Sequence, residues 1–181
     1  MSRWVGKFPS LKLNRMVGYQ SLIERDFIYL LDFDPAVSIY CEQPLTIRYT
    51  ADGKRRRYTP DFSLTYNQQQ FLIECKHHQY MQLAENIPKW RAASDWCNTH
   101  DATFYVITEQ MMRRGCYLAN VKRLTQAARY IVATETKTAM QSLLLQSNSA
   151  MSIGKLTTLL QPQSPATTLT AILHLTYHQF F

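Results

Sequence analysis

Nothing in the 181 residues approaches the roughly 18 consecutive apolar side chains that a membrane-spanning helix requires. The opening MSRWVGKFPSLKLNR likewise lacks the continuous apolar core of a secretory signal, so a cytosolic protein is expected. Cysteine is sparse: Cys41, Cys75, Cys97 and Cys116 stand far apart, and no C-x-x-C occurs. That spacing excludes a zinc knuckle and a disulfide framework as the organising device and leaves four reduced, mostly buried thiols. Internal repeats and low-complexity segments are absent too. Negative charge is in short supply, with 13 Asp and Glu against 20 Lys and Arg, a net charge of +7 and a pI near 9.3. A polyanionic partner suits that balance. What is plentiful is apolar side chain. With 46% hydrophobic and only 18% charged residues the chain is a folded one, long enough for one domain or for a medium domain with a small one attached.

The most informative stretch is Tyr58 to Lys76, YTPDFSLTYNQQQFLIECK. Two runs rich in β-formers, Tyr58–Tyr66 and Phe71–Cys75, flank polar Asn67–Gln70, which reads as a β-hairpin. Pleating sends Glu74 and Lys76 to one face and Cys75 to the other. With Asp61 at the start of the neighbouring strand, two carboxylates and a lysine meet at one corner, the minimal equipment for metal-assisted phosphodiester cleavage. The carboxylates hold a divalent ion and the amine steadies a water or a phosphate oxygen. The same residues also suit a plainer hairpin in which Asp61 makes a turn and Glu74 and Lys76 form a solvated pair.

Around this stretch, residues 1–18 carry Arg3, Lys7, Lys12 and Arg15 with Pro9 and Gly18 and no clear periodicity. An irregular basic arm is expected there, either solvated or laid on phosphates. Leu22, Ile23, Phe27, Leu30 and Leu31 follow at helical spacing, with Ser21 as N-cap and Glu24 completing a capping box. Glu24 thus has a structural use at the helix start; the alternative is a third acidic ligand facing Asp61 and Glu74. Asp34-Pro35 stops the helix, Val37–Cys41 and Leu45–Thr50 read as strands, and Asp52-Gly53 is a hairpin turn. Lys54, Arg55, Arg56 and Arg57 come next; four consecutive cations occupy both faces of a strand and read as DNA-phosphate contacts, against the alternative of a charged edge that blocks aggregation. Beyond His77-His78 a helix is expected, secure from Pro88 to Asn98, with Trp90 and Trp96 packing from it. Thr103–Thr108 then reads as a buried strand reached by that crossover helix.

Helix, three or four antiparallel strands, helix and strand, with Pro60-Asp61 and Glu74-Cys75-Lys76 on the central strands, resemble the α-β-β-β-α-β core and P-D-x(n)-[DE]-x-K motif of the restriction-endonuclease-like nuclease superfamily. Within it, four segments together resemble the TnsA family, the endonuclease subunits of heteromeric cut-and-paste transposases, over about residues 5–117. They are Ser21-Leu22-Ile23-Glu24-Arg25-Asp26-Phe27, the Glu42-Gln43-Pro44 turn, Tyr58-Thr59-Pro60-Asp61-Phe62 and Ile73-Glu74-Cys75-Lys76. The resemblance implies an α/β fold, a mixed sheet flanked by helices, and a Mg2+-dependent DNA endonuclease. By that likeness Glu24, Asp61 and Glu74 bind two Mg2+ ions, with Mn2+ as a substitute, and Lys76 is the catalytic lysine. It further implies nicking of double-stranded transposon ends on the 5′ side, a TnsB-like transposase that cuts and joins the 3′ ends, a TnsC-like ATPase regulator, and a nucleoid-associated place in a bacterial cytoplasm.

From Met111 the character changes. Arg113, Arg114, Lys122, Arg123 and Arg129 form a second basic group, of which Arg113 and Arg114 are counted with the DNA contacts, whereas residues 131–181 carry only Lys137 and Lys155 against Glu135. Apolar spacings at Met140, Leu143 and Leu144, at Ile153, Leu156, Leu159 and Leu160, and at Leu169, Ile172 and Leu173 predict three short helices. Ser152 and Thr167 are their expected caps, and Pro162 and Pro165 separate the last two. The expected organisation is a nuclease domain over residues 1–118, arm included, and an all-α domain over residues 119–181 of helix-turn-helix or winged-helix type. The resemblance makes that second domain the contact for the ATPase and for DNA. His174 and His178 have the i, i+4 spacing of metal ligands without a third, and packing is the plainer reading. Two other functions stay open: a restriction- or resolvase-type endonuclease working without transposase partners, and a catalytically inactive DNA-binding assembly subunit.

Overall fold

In the computed structural model, which describes residues 5–147, 150–160 and 165–178, the basic N-terminal segment is not an irregular arm. Gly6–Ser10 (β1) and Arg15–Tyr19 (β2) pair as an antiparallel hairpin in which Phe8 faces Val17. Both side chains are buried in the main core, and Asn14 takes the left-handed backbone, φ 50°, that lets the turn close. The ordering force comes from a buried carboxylate: the N–H groups of Leu11 and Lys12 donate to Asp32 at 3.0 and 3.3 Å, and the Ser10 hydroxyl donates to it as well. Lys7, Lys12 and Arg15 therefore belong to an ordered hairpin; Arg3 and Pro162 lie outside the described residues.

Asp32 belongs to α1 (Leu22–Phe33), which starts as its capping box predicts. The Ser21 hydroxyl accepts from Glu24 N–H at 3.1 Å, and the Glu24 carboxylate reaches back to accept from Gln20 N–H at 2.8 Å. At the other end Lys12 donates its ammonium to the carbonyls of Leu31 and Val37, each at 2.6 Å, and to that of Asp34. A cation is favoured there, because the last carbonyls of a helix lack partners and carry the negative end of its dipole.

The chain continues through β3 (Val37–Glu42), β4 (Ile47–Ala51), β5 (Lys54–Tyr58), β6 (Phe62–Tyr66), β7 (Gln69–Cys75), α2 (Asn86–Asn98), β8 (Ala102–Ile107) and the short α3 (Glu109–Met112). Four of these strands make one sheet in the order β3-β6-β7-β8, antiparallel except for the β7–β8 pair, which α2 connects in parallel. The other two, β4 and β5, form a separate ribbon. The run expected as one strand from Tyr58 to Tyr66 therefore breaks: Tyr58 closes the ribbon, Phe62 opens the sheet, and Thr59-Pro60-Asp61 lies between, where proline has no N–H to continue a ladder. Both hairpins turn on two left-handed residues, Asp52-Gly53 (φ 52° and 69°) and Asn67-Gln68 (φ 46° and 67°), the turn geometry whose twist suits paired strands.

Each sheet face is covered by a helix. Phe27, Ile28 and Leu31 of α1 pack on Tyr40, Phe62, Leu64, Ile73 and Cys75, and α2 brings Ala93, Cys97, Trp90 and Trp96 against Leu72 and Phe104, with Ile47 and Tyr58 of the ribbon in the same cluster. Burying a side chain the size of Phe62 or Ile28 contributes about 1.5–3 kcal/mol. Pro88 lies in the first turn of α2, where no helical donor is lost. Strand β8 corrects an expectation: it is an edge, its residues alternate in exposure, and Tyr105 remains 53% exposed. The cysteines also divide evenly, Cys75 and Cys97 buried, Cys41 and Cys116 exposed.

The chain splits into two compact units, Met1–Leu118 and Ala119–Phe181. Beyond Ala119 the described residues are helical and include no strand, so no wing is present among them. The helices are α4 (Tyr117–Ala127), which the sequence reading missed, α5 (Thr134–Gln146), α6 (Ile153–Leu159) and α7 (Pro165–Tyr177). Met140, Leu156, Ala171, Ile172 and Leu175 form their core. Ser152 caps α6 by accepting from Lys155 N–H at 3.2 Å, whereas Thr167 lies inside α7 because that helix begins at Pro165, a residue suited to the first turn. His174 Nδ1 and His178 Nε2 stand 3.3 and 2.9 Å from the carbonyls of Ala127 and Ala128, satisfying the end of α4.

Candidate active site

Three carboxylates arrive at one corner from three elements. Asp61 sits in the loop before β6, one position past the Phe62–Ile73 pair, and its Oδ2 accepts from the Cys75 N–H at 2.7 Å. That hydrogen bond ties the loop to the end of β7, where Glu74 is 6% exposed. One Glu74 oxygen accepts from the Tyr58 hydroxyl at 2.7 Å; the other lies 3.3 Å from Lys89 Nζ on the first turn of α2. Glu24 comes from the first turn of α1 and is equally buried, at 7%. Its capping role and its place beside the other acids are thus compatible, since the two oxygens of a carboxylate can serve separate partners.

The electrostatics show that these groups sense one another. Burial first, then the charges of Glu74 and Glu24, push the Asp61 carboxyl up to about 8, against the opposing pull of the Cys75 amide and Lys89. Burial raises Glu24 as well, with Glu74 adding to the rise and the Gln20 and Ser21 hydrogen bonds opposing it. Burial and Glu74 raise the Tyr58 hydroxyl, so it remains a donor. Lys76 follows β7 and gives its N–H to Ile107 at 2.9 Å, while its half-buried side chain makes no ion pair among the described residues.

An all-oxygen donor set whose members repel one another suits a hard divalent cation such as Mg2+. Among the described residues no three His, Cys, Asp or Glu side chains already surround a common point, and Glu74 is turned toward Tyr58 and Lys89. Both of those residues were missed in the sequence. Tyr58 reads there as one more β-former, and Lys89 as one more cation on a helix whose aim no local pattern reveals.

Of the cations expected to reach DNA, Lys54, Arg55, Arg56 and Arg57 are all exposed on β5, and Arg114 is exposed too. Arg113 is engaged within the fold, its Nε and Nη2 donating to the buried Asp26 at 3.0 and 2.7 Å.

The fold and this corner define a mixed α/β domain with buried carboxylates and Lys89 beside Glu74. Residues 34–109 match the family model described as the TnsA-like endonuclease N terminal, so this segment is similar to an endonuclease domain. Asp61, Glu74, Lys76, Lys89 and the ribbon fall inside the match, while Glu24 precedes it. No curated protein matches the sequence.

Proposed function

We propose that the chain is the metal-dependent DNA endonuclease subunit of a transposase, built on a restriction-endonuclease-like core, which cleaves the 5′ ends of a transposon during cut-and-paste transposition. The observation that carries the reading is the raised Asp61 carboxyl, which sits inside the endonuclease segment and is destabilised as an anion by burial beside Glu74 and Glu24. Such a cluster costs stability unless a cation enters it.

Glu24, Asp61 and Glu74 are the residues to hold Mg2+, two ions on the family pattern with Mn2+ as substitute; bound there, the metal supplies Lewis-acid stabilisation of the attacking and leaving oxygens. The protein's own contribution is orientation. The Cys75 amide fixes Asp61, Tyr58 fixes Glu74, and Lys89 offsets the Glu74 charge. Lys76, which makes no ion pair among the described residues, is the residue to steady a water or a phosphate oxygen. A TnsB-like transposase and a TnsC-like ATPase are the partners this function needs, the ATPase docking on the helical, helix-turn-helix-like unit of residues 119–181, whose nearly uncharged stretch 131–181 suits protein better than phosphate.

Strand-specific cleavage of transposon-end duplexes, with and without the partner subunits, tests this. Mg2+-dependent 5′-strand nicks are expected, and Asp61→Ala is expected to abolish them with the fold retained, while Lys76→Ala slows cleavage and leaves metal binding intact. Nicking that survives Asp61→Ala overturns the site.

A further inference from the structure

The β4–β5 ribbon sorts its cations by register. Ile47 stands opposite Tyr58, Tyr49 opposite Arg56 and Ala51 opposite Lys54, so these share one face; Arg48 stands opposite Arg57 and Thr50 opposite Arg55, and these share the other. The first face turns inward at its Ile47–Tyr58 end, while Lys54 and Arg56 further along it are exposed. Ile47 and Tyr58 are buried in the α2 cluster, and Tyr49 and Arg56 line a cleft of about 870 Å3 together with Ile87, Pro88 and Arg91 of α2. Arg56 also reaches Asp52 at 3.4 Å. The second face meets solvent: Arg48, Thr50, Arg55 and Arg57 are exposed, and none of the three arginines forms an ion pair among the described residues.

That outer face places two arginines directly across from each other and a third two residues along. Like charges in directly opposed positions destabilise a ribbon, and protecting a strand from edge-to-edge pairing needs no such cluster. A ligand that is itself a line of negative charge reverses the sign of the effect. Duplex DNA presents one charge per about 1.7 Å of axis, and its major groove admits a two-stranded ribbon.

We propose that the outer face of this ribbon is a duplex-DNA contact in which Arg48, Arg55 and Arg57 seat on phosphates, while Lys54 and Arg56, from the same basic run, do not. This rests on the nuclease reading above and sharpens it by bringing in Arg48, which lies outside the basic run, and by removing two members of that run.

The test is the salt dependence of binding to a fluorescent random-sequence duplex, measured without divalent metal on the full chain. Compared are the wild type, Arg48→Ala/Arg55→Ala/Arg57→Ala and Lys54→Ala/Arg56→Ala. The outer triple is expected to lower the slope of log K against log salt by about 2–3, at about 0.9 per phosphate contact, and the inner double by less than about 1. Its melting temperature should hold or rise, since repulsion is removed; Arg57→Gln alone, the mildest change, should lower the slope by about 1. An unchanged slope in the triple, or an equal loss in the inner double, overturns the proposal. Transposon-end cleavage by a protein whose outer-face variants keep the wild-type slope sinks the ribbon and spares the nuclease. A protein that never cleaves, yet whose slope follows the outer face, does the reverse.

Discussion

Two basic hairpins, residues 6–19 and 47–58, treat their cations in opposite ways. In the first, Lys12 sits on the carbonyls that end α1, and Arg15 holds both oxygens of Glu42 at 2.7 and 2.6 Å. In the second, Arg48, Arg55 and Arg57 face water unpaired. The acids divide along the same line. Asp26 and Asp32 on α1 are buried with partners, Arg113 for one and Ser10, Tyr40 and two backbone amides for the other, whereas burial beside other carboxylates raises Asp61 and Glu24. Charge density along the chain is therefore a poor guide to a binding surface. What decides is whether the fold has placed an acceptor or donor within reach.

The largest way to break this comparison is Lys12→Met. It strips the carbonyls of Leu31, Asp34 and Val37 of their donor, and a loss of about 2–4 kcal/mol is expected, seen as a melting temperature lower by on the order of 10 °C. DNA affinity per folded molecule should not change; a drop in affinity with stability intact would place Lys12 among the DNA contacts after all.

Next in size is the pH response of Asp61 in metal-free protein. Its carboxyl titrates near 8 in the fold against 3.8 as a free side chain, so the folded state holds a proton that the unfolded state has released. Stability is then full below about pH 4 and falls as pH rises toward 8. Asp61→Asn should remove that fall: equal to wild type near pH 4, it should melt several degrees higher at pH 8. Added Mg2+ should stabilise the wild type and not the variant. An Asn variant that melts lower than wild type at pH 8 would show that the three carboxylates do not oppose one another.

The smallest effect belongs to Arg15→Ala, which removes an ion pair whose arginine is 41% exposed. About 0.5–1 kcal/mol is expected from denaturant titration, again with no change in the salt slope of DNA binding.

Which features are legible in the sequence follows from how far their causes reach. Asp52-Gly53 makes its turn alone, and Ser21 with Glu24 starts α1 within a single turn, so both are readable locally. The N-terminal hairpin is not, because the carboxylate that orders it lies 20 to 22 positions on, while Pro9 and Gly18 read as breakers. Lys89 and Tyr58 reach Glu74 across 15 and 16 positions, through α2 and the ribbon, and no periodicity in either element points to that meeting. The basic run of β5 is legible as charge but not as two faces, since its phase depends on pairing with β4. The half-exposed β8 follows from strand order, which a β-branched run does not encode.

The β6–β7 hairpin carries a further consequence, in the language of insertions and deletions. Its two-residue turn means that facing positions always stand an odd number apart, as Asp61 and Glu74 do at thirteen. A relative can lengthen both arms by one residue each and keep its acids together, so the gap between them can grow only in steps of two. A single inserted residue in one arm would rotate Cys75 into the site and carry Glu74 and Lys76 round to the α1 side, unless a bulge absorbed it. The permitted spacings of the motif form a parity rule, and a chain with an even gap must show a bulge or an odd-length turn between its two acids.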